Sequence, residues 1–580
     1  MEKPKEGRQS AARLFAYFRP EMRYVLLLAG AVTLAVVAGV TAPRLQSQVI
    51  DDLVRGSFEE IPGYLGIMLL TYLVYGVMTL LQGFFSARLS QRVVFRLRKE
   101  LFDKVVSLPV STIDGHSHGD LMSRMTNDAE NVSSVISSSL SSMFSGILTL
   151  LGTVTMMLVL SMPMSLLTLV TVFLSVALTR GMTRLMRKAY VRRQTLLGAI
   201  NGIVEEKVTA SRTVTAYNLQ EETIALFEKT SDDLRRTGIF ADILGNIMGP
   251  LMNTINNLSF VIVAAFGALL TLRGQMTVGV ISAFIVYSKQ FSRPVNELAQ
   301  MYGQIQTALA GAERIFELLD DESEDQSGNE AFEVTRGVIE FEHVNFSYVP
   351  GKPVIQDFNL RVEAGRKIAL VGSTGSGKTT IVNLLMRFYP VDSGRITVDG
   401  VDIREIACSR LRDAVGIVLQ DTVLFTDTVR HNLKYADPSI SDEDMMEAAK
   451  LSYCDKVVEG LAKGYDTILS GAGSGLSQGQ RQLLTIGRAF LSYPRILVLD
   501  EATSSVDTRT EQHIQNAMVQ LMKERTSLII AHRLSTIRDA DLIVVMDHGH
   551  ICETGNHEQL LARKGDYYQL YMTQFEGNAT

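Results

Sequence analysis

Cysteine is scarce in this chain of 580 residues: Cys408, Cys454 and Cys552 are the three present. They form no close pair and no metal-ligand spacing, which argues against a disulfide framework or a zinc site and fits a reducing compartment. The expectation is three small buried apolar side chains. An excess of positive charge is missing too. Lys and Arg number 56 against 62 Asp and Glu, a formal net charge of -6, which leaves no basic footprint for nucleic acid. No secretory leader is expected at the N-terminus. The stretch before Tyr24 is charged (Lys3, Lys5, Arg8, Arg13, Arg19, Arg23), and the apolar run after it is longer than a leader's core. The length itself excludes a single ordinary domain.

What the chain has instead is an uneven spread of apolar residues, which make up 46% of it. Residues 24–300 hold long apolar stretches, while 330–580 read as a mixed, charged, soluble domain. Six apolar segments lie at about 24–45, 61–86, 137–160, 163–184, 247–272 and 277–300. Each reaches the roughly 20 residues that cross a hydrocarbon core. Arg88, Arg92, Arg96, Arg98, Lys99 and Lys104 follow the second segment, and Arg184, Arg187, Lys188, Arg192 and Arg193 follow the fourth. The alternate loops are acidic (Asp51, Asp52, Glu59, Glu60) or very short (Ser161-Met162-Pro163). This alternation places both termini and both basic loops in the cytoplasm. The inner loops, 87–136 and 185–246, read as helices that turn around at Ser111–His118, after Pro109, and at Arg212–Asn218. Residues 8–20 suit an amphipathic helix at the membrane interface.

Polar residues within the spans carry information because they are costly there. Asn246, Asn253 and Asn257 fall near one helical face of the fifth segment, with Asn256 beside them. Tyr287, Ser288 and Gln290 mark the sixth, and Tyr72, Tyr75 and Gln82 the second. They either line a cavity or bond helix to helix. Met156, Met157, Met248 and Met252 suit a permissive apolar pocket or simple gap filling. No acidic or basic residue is expected deep in a span, which argues against a proton relay.

The organisation expected is a transmembrane domain at 1–320, a polar acidic linker at 321–336 and an α/β domain at 337–580. Strands are expected at Val338–Phe341, Lys367–Val371, Ile396–Val398, Ile496–Leu499, Ser527–Ile530 and Leu542–Met546, with helices between them, which makes a parallel α/β plan with an antiparallel portion. Gly372-Ser373-Thr374-Gly375-Ser376-Gly377-Lys378-Thr379 matches a P-loop between the strand Ile368–Val371 and the helix Thr380–Arg387. Glycines let backbone N–H groups close around phosphate oxygens, Lys378 reaches the outer phosphates, and Thr379 offers a hydroxyl to Mg²⁺. A buried strand, Ile496–Leu499, runs into Asp500 and Glu501. Asp500 suits the Mg²⁺ shell, and Glu501 suits the orientation of an attacking water.

Leu476-Ser477-Gln478-Gly479-Gln480 resembles the signature sequence of ATP-binding cassette (ABC) transporters. Over nearly its whole length the chain looks like an exporter half-transporter. That resemblance implies a six-helix transmembrane bundle of the type I exporter fold with long cytoplasmic helical loops, followed by an α/β P-loop domain. It implies that Tyr348 stacks on adenine, that Gln420 joins Thr379 and Asp500 at Mg²⁺ and links them to the membrane domain, and that Ser505-Val506-Asp507 crosses a dimer interface. His532 resembles the switch histidine that touches the γ-phosphate, and Glu501 acts beside it in catalysis. The ATP site then comprises Gly372, Ser373, Gly375, Ser376, Gly377, Lys378, Thr379, Thr380 and Asp500, with Ser477, Gly479 and Gln480 facing the nucleotide of a second subunit. Asp114–Arg124 resembles the first coupling region, and Arg212–Asn218 the second.

Three departures stand out: Gln478 in place of a usual glycine, Leu483 where an arginine is common, and Ser470-Gly471-Ala472-Gly473 without the acidic residue often found there. With Glu501 present, this resembles the competent subunit of heterodimeric multidrug and lipid exporters. A homodimer that tolerates Gln478 is the alternative. The function implied is ATP-driven export of small amphipathic molecules (drug, lipid or peptide) by alternating access across a bacterial plasma membrane. A lipid flippase or a siderophore-type importer on the same fold are the rivals. A soluble ATPase acting on DNA or ribosomes is disfavoured by the six spans.

Overall fold

A computed structural model of the chain describes residues 7–419, 422–471, 473, 475–500, 507–531 and 534–573. Its contacts divide into two units: Met1–Val106 with His118–Asp321, and Ser107–Ser117 with Glu322–Thr580.

The first unit is helical. Its long elements are α1 (Gly7–Ala16), α2 (Met22–Arg55) and α3 (Ile61–Ser107). The short α4 (Val110–Asp114) interrupts the series and belongs to the second unit. Then come α5 (His118–Ser123), α6 (Ala129–Ser134), α7 (Leu140–Leu160), α8 (Met162–Thr209), the short α9 (Ser211–Ala216), α10 (Gln220–Leu272) and α11 (Val278–Asp320). Wider π turns at Arg124–Asp128 and Val135–Ser139 join α5, α6 and α7 into one rod. Among the described residues, the six apolar segments of the sequence fall in long helical rods. Among the described residues, four are long and apolar enough to cross a bilayer: Arg19–Arg55, Ile61–Ser107, His118–Leu160 and Gln220–Leu272. The other two contribute the shorter apolar stretches Met162–Thr171 and Val278–Phe291. The turnarounds expected near Ser111 and Arg212 are the short helices α4 and α9. Pro109, with ψ at 146°, breaks the chain ahead of α4, because a proline cannot donate the hydrogen bond that would continue α3.

Side chains in this unit answer several open readings. Tyr287 donates to the Val40 carbonyl at 2.8 Å and Gln290 to that of Gly39 at 3.2 Å, so these two bond helix to helix. Asn246, Asn253 and Asn257 are exposed along α10. The side chains of Met252 and Asn256 lie outside the described residues. Asp51, expected in a loop, lies near the C-terminal end of α2 and caps α11: it accepts from the Gly279 N–H and the Thr277 hydroxyl, both at 2.7 Å. Gly279 permits that approach, since a Cβ there would meet the Ser47 carbonyl at 2.0 Å. The sixth apolar segment also holds a charge: Lys289 lies two residues from the end of the apolar stretch Val278–Phe291. It is exposed on α11 about 16 Å along the axis from Val278, at 1.5 Å per residue. Arg124 is buried and bonds Asp120 at 2.8 Å and the Arg314 carbonyl at 2.9 Å. Arg314 in turn grips the buried Asp128 with two nitrogens.

The second unit holds two sheets. The strands are β1 (Ile339–Phe346), β2 (Ile355–Val362), β3 (Lys367–Gly372), β4 (Ser393–Val398), β5 (Val401–Asp402), β6 (Val415–Val418), β7 (Ile496–Asp500), β8 (Thr526–Ile530), β9 (Leu542–Asp547) and β10 (His550–Gly555). An antiparallel sheet runs β2-β1-β4-β5, and a mostly parallel one runs β10-β9-β3-β8-β7-β6. All six expected strands are present. The four that were not expected have physical reasons: β5 has two residues, β6 four, β10 is a polar edge strand, and β2 pairs with β1 through register shifts that break its alternation. Phe341, Phe358, Ile381, Leu385 and Val544 fill one core, and Leu483, Leu484, Leu497, Ile514 and Ile543 another. Leu483, where the resemblance leads one to expect arginine, is thus a core residue. Of the cysteines, Cys408 and Cys454 are buried as expected, whereas Cys552 is exposed on β10.

The stretch after Asp321 is pinned rather than loose. The Glu324 N–H bonds the Ser107 carbonyl at 2.8 Å, and Arg412 grips the Glu324 carboxylate at 2.6 and 2.8 Å. The Asn329 N–H bonds the Glu405 carbonyl at 2.7 Å.

Candidate functional site

Strands β3, β8, β7 and β6 are parallel neighbours, so their carboxyl ends form one edge. Ligands of open α/β sheets bind outside such an edge, where loops diverge. The P-loop leaves β3 at Gly372 and Asp500 ends β7. Glu501 follows Asp500 in the chain, His532 comes two residues after the end of β8, and Gln420 two after the end of β6; all three lie outside the described residues, as do Ser505 and Val506. The strand ends that precede these candidates are nevertheless side by side.

The loop itself is shaped by glycine. Gly377 has φ of +101°, and a Cβ on it would stand 2.6 Å from Ile355 Cδ1, so both its conformation and its surroundings demand the missing side chain. The helix Lys378–Leu385 starts directly after it, two residues before the expected Thr380. It ends before Arg387, whose φ of +55° takes it out of the helical region. Lys378 is buried, and its ammonium donates to the Gly372 and Ser373 carbonyls, both at 2.8 Å. Burial pushes its pKa down and the charge of Asp500 pulls it up. The Gly549 N–H holds the Ser376 carbonyl at 3.2 Å, and Ser376 and Thr380 are buried. Ser373, Gly375 and Thr379 are exposed at the mouth. A helix N-terminus, a ring of loop peptides and one ammonium make an anion cradle. The donor set beside it, the Thr379 hydroxyl and the Asp500 carboxylate, is the all-oxygen kind that suits Mg²⁺.

Tyr348 lies after β1 with 43% of its surface exposed. Its hydroxyl accepts from Asn383 Nδ2 at 3.2 Å and stands 3.3 Å from Thr380 Oγ1, which fixes it to the P-loop helix. At the other candidate elements, capping explains the residues. Ser477 caps the helix Gln478–Leu491: its Oγ accepts from the Gln480 N–H at 3.3 Å, while Gln480 Oε1 accepts from the Ser477 N–H at 2.9 Å. This reciprocal pair leaves Gly479 buried in the first turn. Gln478 is half-buried and Ala472 lies outside the described residues. Asp507 caps the helix Thr508–Leu521 by accepting from the Thr510 N–H at 3.0 Å, and that bond lowers its pKa.

The sequence reading missed two side chains near these elements. Arg488, on the signature helix, donates to the Asn432 carbonyl at 2.9 Å and lies over the rings of Phe425 and Tyr435 at 5.7 and 5.2 Å. Tyr389 packs on Tyr348; the run Arg387-Phe388-Tyr389-Pro390, closing the P-loop helix with two aromatics, is the signal that could have found it.

Comparison with known proteins decides the family. The profile described as ABC transporter transmembrane region matches residues 25–295, and the one described as ABC transporter matches 355–504. An ABC transporter ATP-binding protein of Bacillus subtilis, YfiC, is 39% identical over 579 residues, covering 99% of this chain and 96% of that protein. The chain belongs to the ABC transporter family. A fatty acid ABC transporter ATP-binding/permease protein of Mycobacterium tuberculosis is 44% identical over 513 residues, 88% of this chain and 81% of that protein. An ATP-dependent lipid A-core flippase of Syntrophus aciditrophicus is 33% identical over 554 residues, 95% and 91% of the two chains. This ABC transporter is a half-transporter, a multi-pass membrane protein with one ATP-binding domain, and an ATPase.

Proposed function

We propose that ATP, as substrate, binds with its phosphates in the loop Gly372–Thr379 and its base on Tyr348. One observation carries this reading: the buried Lys378 ammonium sits within a glycine-shaped loop at the end of β3, with Asp500 two strands away on the same edge. Lys378 neutralises the outer phosphates. Thr379 and Asp500, with Gln420, would hold Mg²⁺, which supplies further charge neutralisation on the phosphate oxygens. Glu501 orients and polarises the attacking water, and His532 contacts the γ-phosphate. Ser477, Gly479 and Gln480 act on the nucleotide of the opposing subunit, where the N-terminus of the helix Gln478–Leu491 adds its dipole. Phosphoryl transfer needs this positioning and charge balance more than covalent chemistry.

Closing two such cassettes around ATP biases the membrane bundle towards one of its two states, and hydrolysis resets it. Both termini face the cytoplasm. The pairing is with a second, unlike half-transporter, supported by Gln478 in the signature. The cargo is a small amphipathic molecule. The exposed Lys289, between Ser288 and Gln290 near the end of the apolar stretch Val278–Phe291, favours one with an anionic head over a neutral drug.

Glu501→Gln in the purified protein, reconstituted in lipid, tests the site. The variant is expected to keep ATP binding and to lose vanadate-sensitive turnover by about 100-fold or more. Near-normal turnover would remove Glu501 from the role given to it.

A further inference from the structure

Three aromatic rings meet edge to face beside the P-loop helix. Phe346 and Tyr348 are 4.8 Å apart at 84°, Tyr348 and Tyr389 4.9 Å at 86°, and Phe346 and Tyr389 5.7 Å at 67°. In such an arrangement ring edges meet neighbouring faces, so a displacement of one ring presses on the others. The two tyrosine hydroxyls make different contacts. That of Tyr348 meets Thr380 and Asn383 on the P-loop helix. That of Tyr389 donates to Asp114 Oδ2 at 2.6 Å, across 275 positions of sequence.

Asp114 is the last residue of α4, the short helix covalently continuous with α3 on one side and α5 on the other. Hydrogen bonds to a carboxylate are among the stronger ones, and the 2.6 Å separation is typical of them. Burial and the bond to Asp114 raise the Tyr389 pKa, so the phenol stays protonated and remains a donor at physiological pH. A second tie fixes the same segment: the Ser107 carbonyl accepts from the Glu324 N–H. The backbone is therefore anchored at the start of Ser107–Ser117, and Tyr389 holds a side chain near its end.

We propose that Tyr389 is a positioning residue that reports occupancy of the Tyr348 ring face to α4. A purine stacked on Tyr348 fixes that ring, the ring fixes Tyr389, and the Tyr389 hydroxyl fixes Asp114. The base of the nucleotide, and not only its phosphates, thereby sets the first coupling segment. This rests on the reading that Tyr348 receives adenine. A plain structural strut between Tyr389 and Asp114 would hold α4 equally with and without a base, which separates the two ideas.

Hydrogen–deuterium exchange of 107–117 in the full-length protein, held in lipid nanodiscs, is the test. Three conditions are compared: no nucleotide, saturating Mg·ATP with vanadate, and ribose 5-triphosphate, which carries the phosphates without a base. In the unmodified protein ATP is expected to slow exchange on the order of tenfold and the base-free triphosphate less than about twofold. Tyr389→Phe removes one oxygen. It is expected to bind ATP within about twofold of normal and to lose the slowing at 107–117. Asp114→Ala, at an exposed position, removes the acceptor, is expected to do the same and serves if the first variant fails to fold. A full ATP response in a folded Tyr389→Phe protein, or equal slowing by both ligands in the unmodified one, overturns the inference. Tyr348→Ala separates the two levels. If it leaves ATP affinity unchanged, the adenine reading falls and the relay with it. If affinity drops about tenfold and Tyr389→Phe still responds, the relay alone falls.

Discussion

At the scale of single residues, one side chain often serves both the fold and the candidate chemistry. Ser477 and Gln480 close a capping box on the helix that carries the signature, so replacing either removes a helix cap as well as the contact to nucleotide proposed for it. Lys378 also serves both: Lys378→Ala removes the charge in the loop together with its hydrogen bonds to the Gly372 and Ser373 carbonyls. Turnover is expected to fall about 100-fold or more, read by ATPase assay. Tyr348→Ala removes a stacking face, worth roughly 1 kcal/mol. Half-saturation by ATP should rise about tenfold or less while maximal rate stays within about threefold. A collapse of maximal rate with unchanged half-saturation would place Tyr348 in the chemistry instead.

Elements are held by pairs that no local pattern announces. Glu324 and Arg412 tie the segment after α11 to the helix Cys408–Ala414, and the guanidinium holds the Glu324 carboxyl below the ordinary glutamate value of 4.5. A carboxyl lowered in this way stabilises the fold above its unfolded value, and the contribution disappears as pH falls through the folded value. Glu324→Gln should therefore cost about 1–2 kcal/mol near neutrality and flatten the acid limb of a melting profile taken between about pH 7 and pH 3. An unchanged acid limb would mean that the pair adds nothing. The sequence made the helices and central strands legible because their periodicities are local: long apolar runs, and short runs that enter a glycine-rich loop. It could not reveal that Asp51 caps α11, that Asp128 and Arg314 pair, or that Tyr389 meets Asp114, since each joins positions more than 180 residues apart. Lys289 is a different case. It was visible in the sixth apolar segment and was passed over because one lysine barely lowers the average around it.

For the whole molecule, the P-loop of the candidate site was readable as a motif, because a P-loop must follow a strand and precede a helix whatever else surrounds it. The fold adds that the carboxyl ends of β3, β8, β7 and β6 adjoin, which turns separate motifs into one edge. Pairing is the property that one chain leaves to experiment. With Gln478 in its signature, this chain is expected to hydrolyse ATP about tenfold more slowly alone than when co-purified with an unlike half-transporter. Full activity from the isolated chain, with a mass corresponding to two copies, would establish the homodimer.

The affiliation of Ser107–Ser117 with the ATP-binding unit bears on how modules of this family can be exchanged. A hybrid built by swapping everything after Asp321 for a relative's cassette keeps its old α4, so a foreign domain must greet a stranger's aspartate. Grafting both pieces together, the short insert along with the long one, is the exchange this architecture permits.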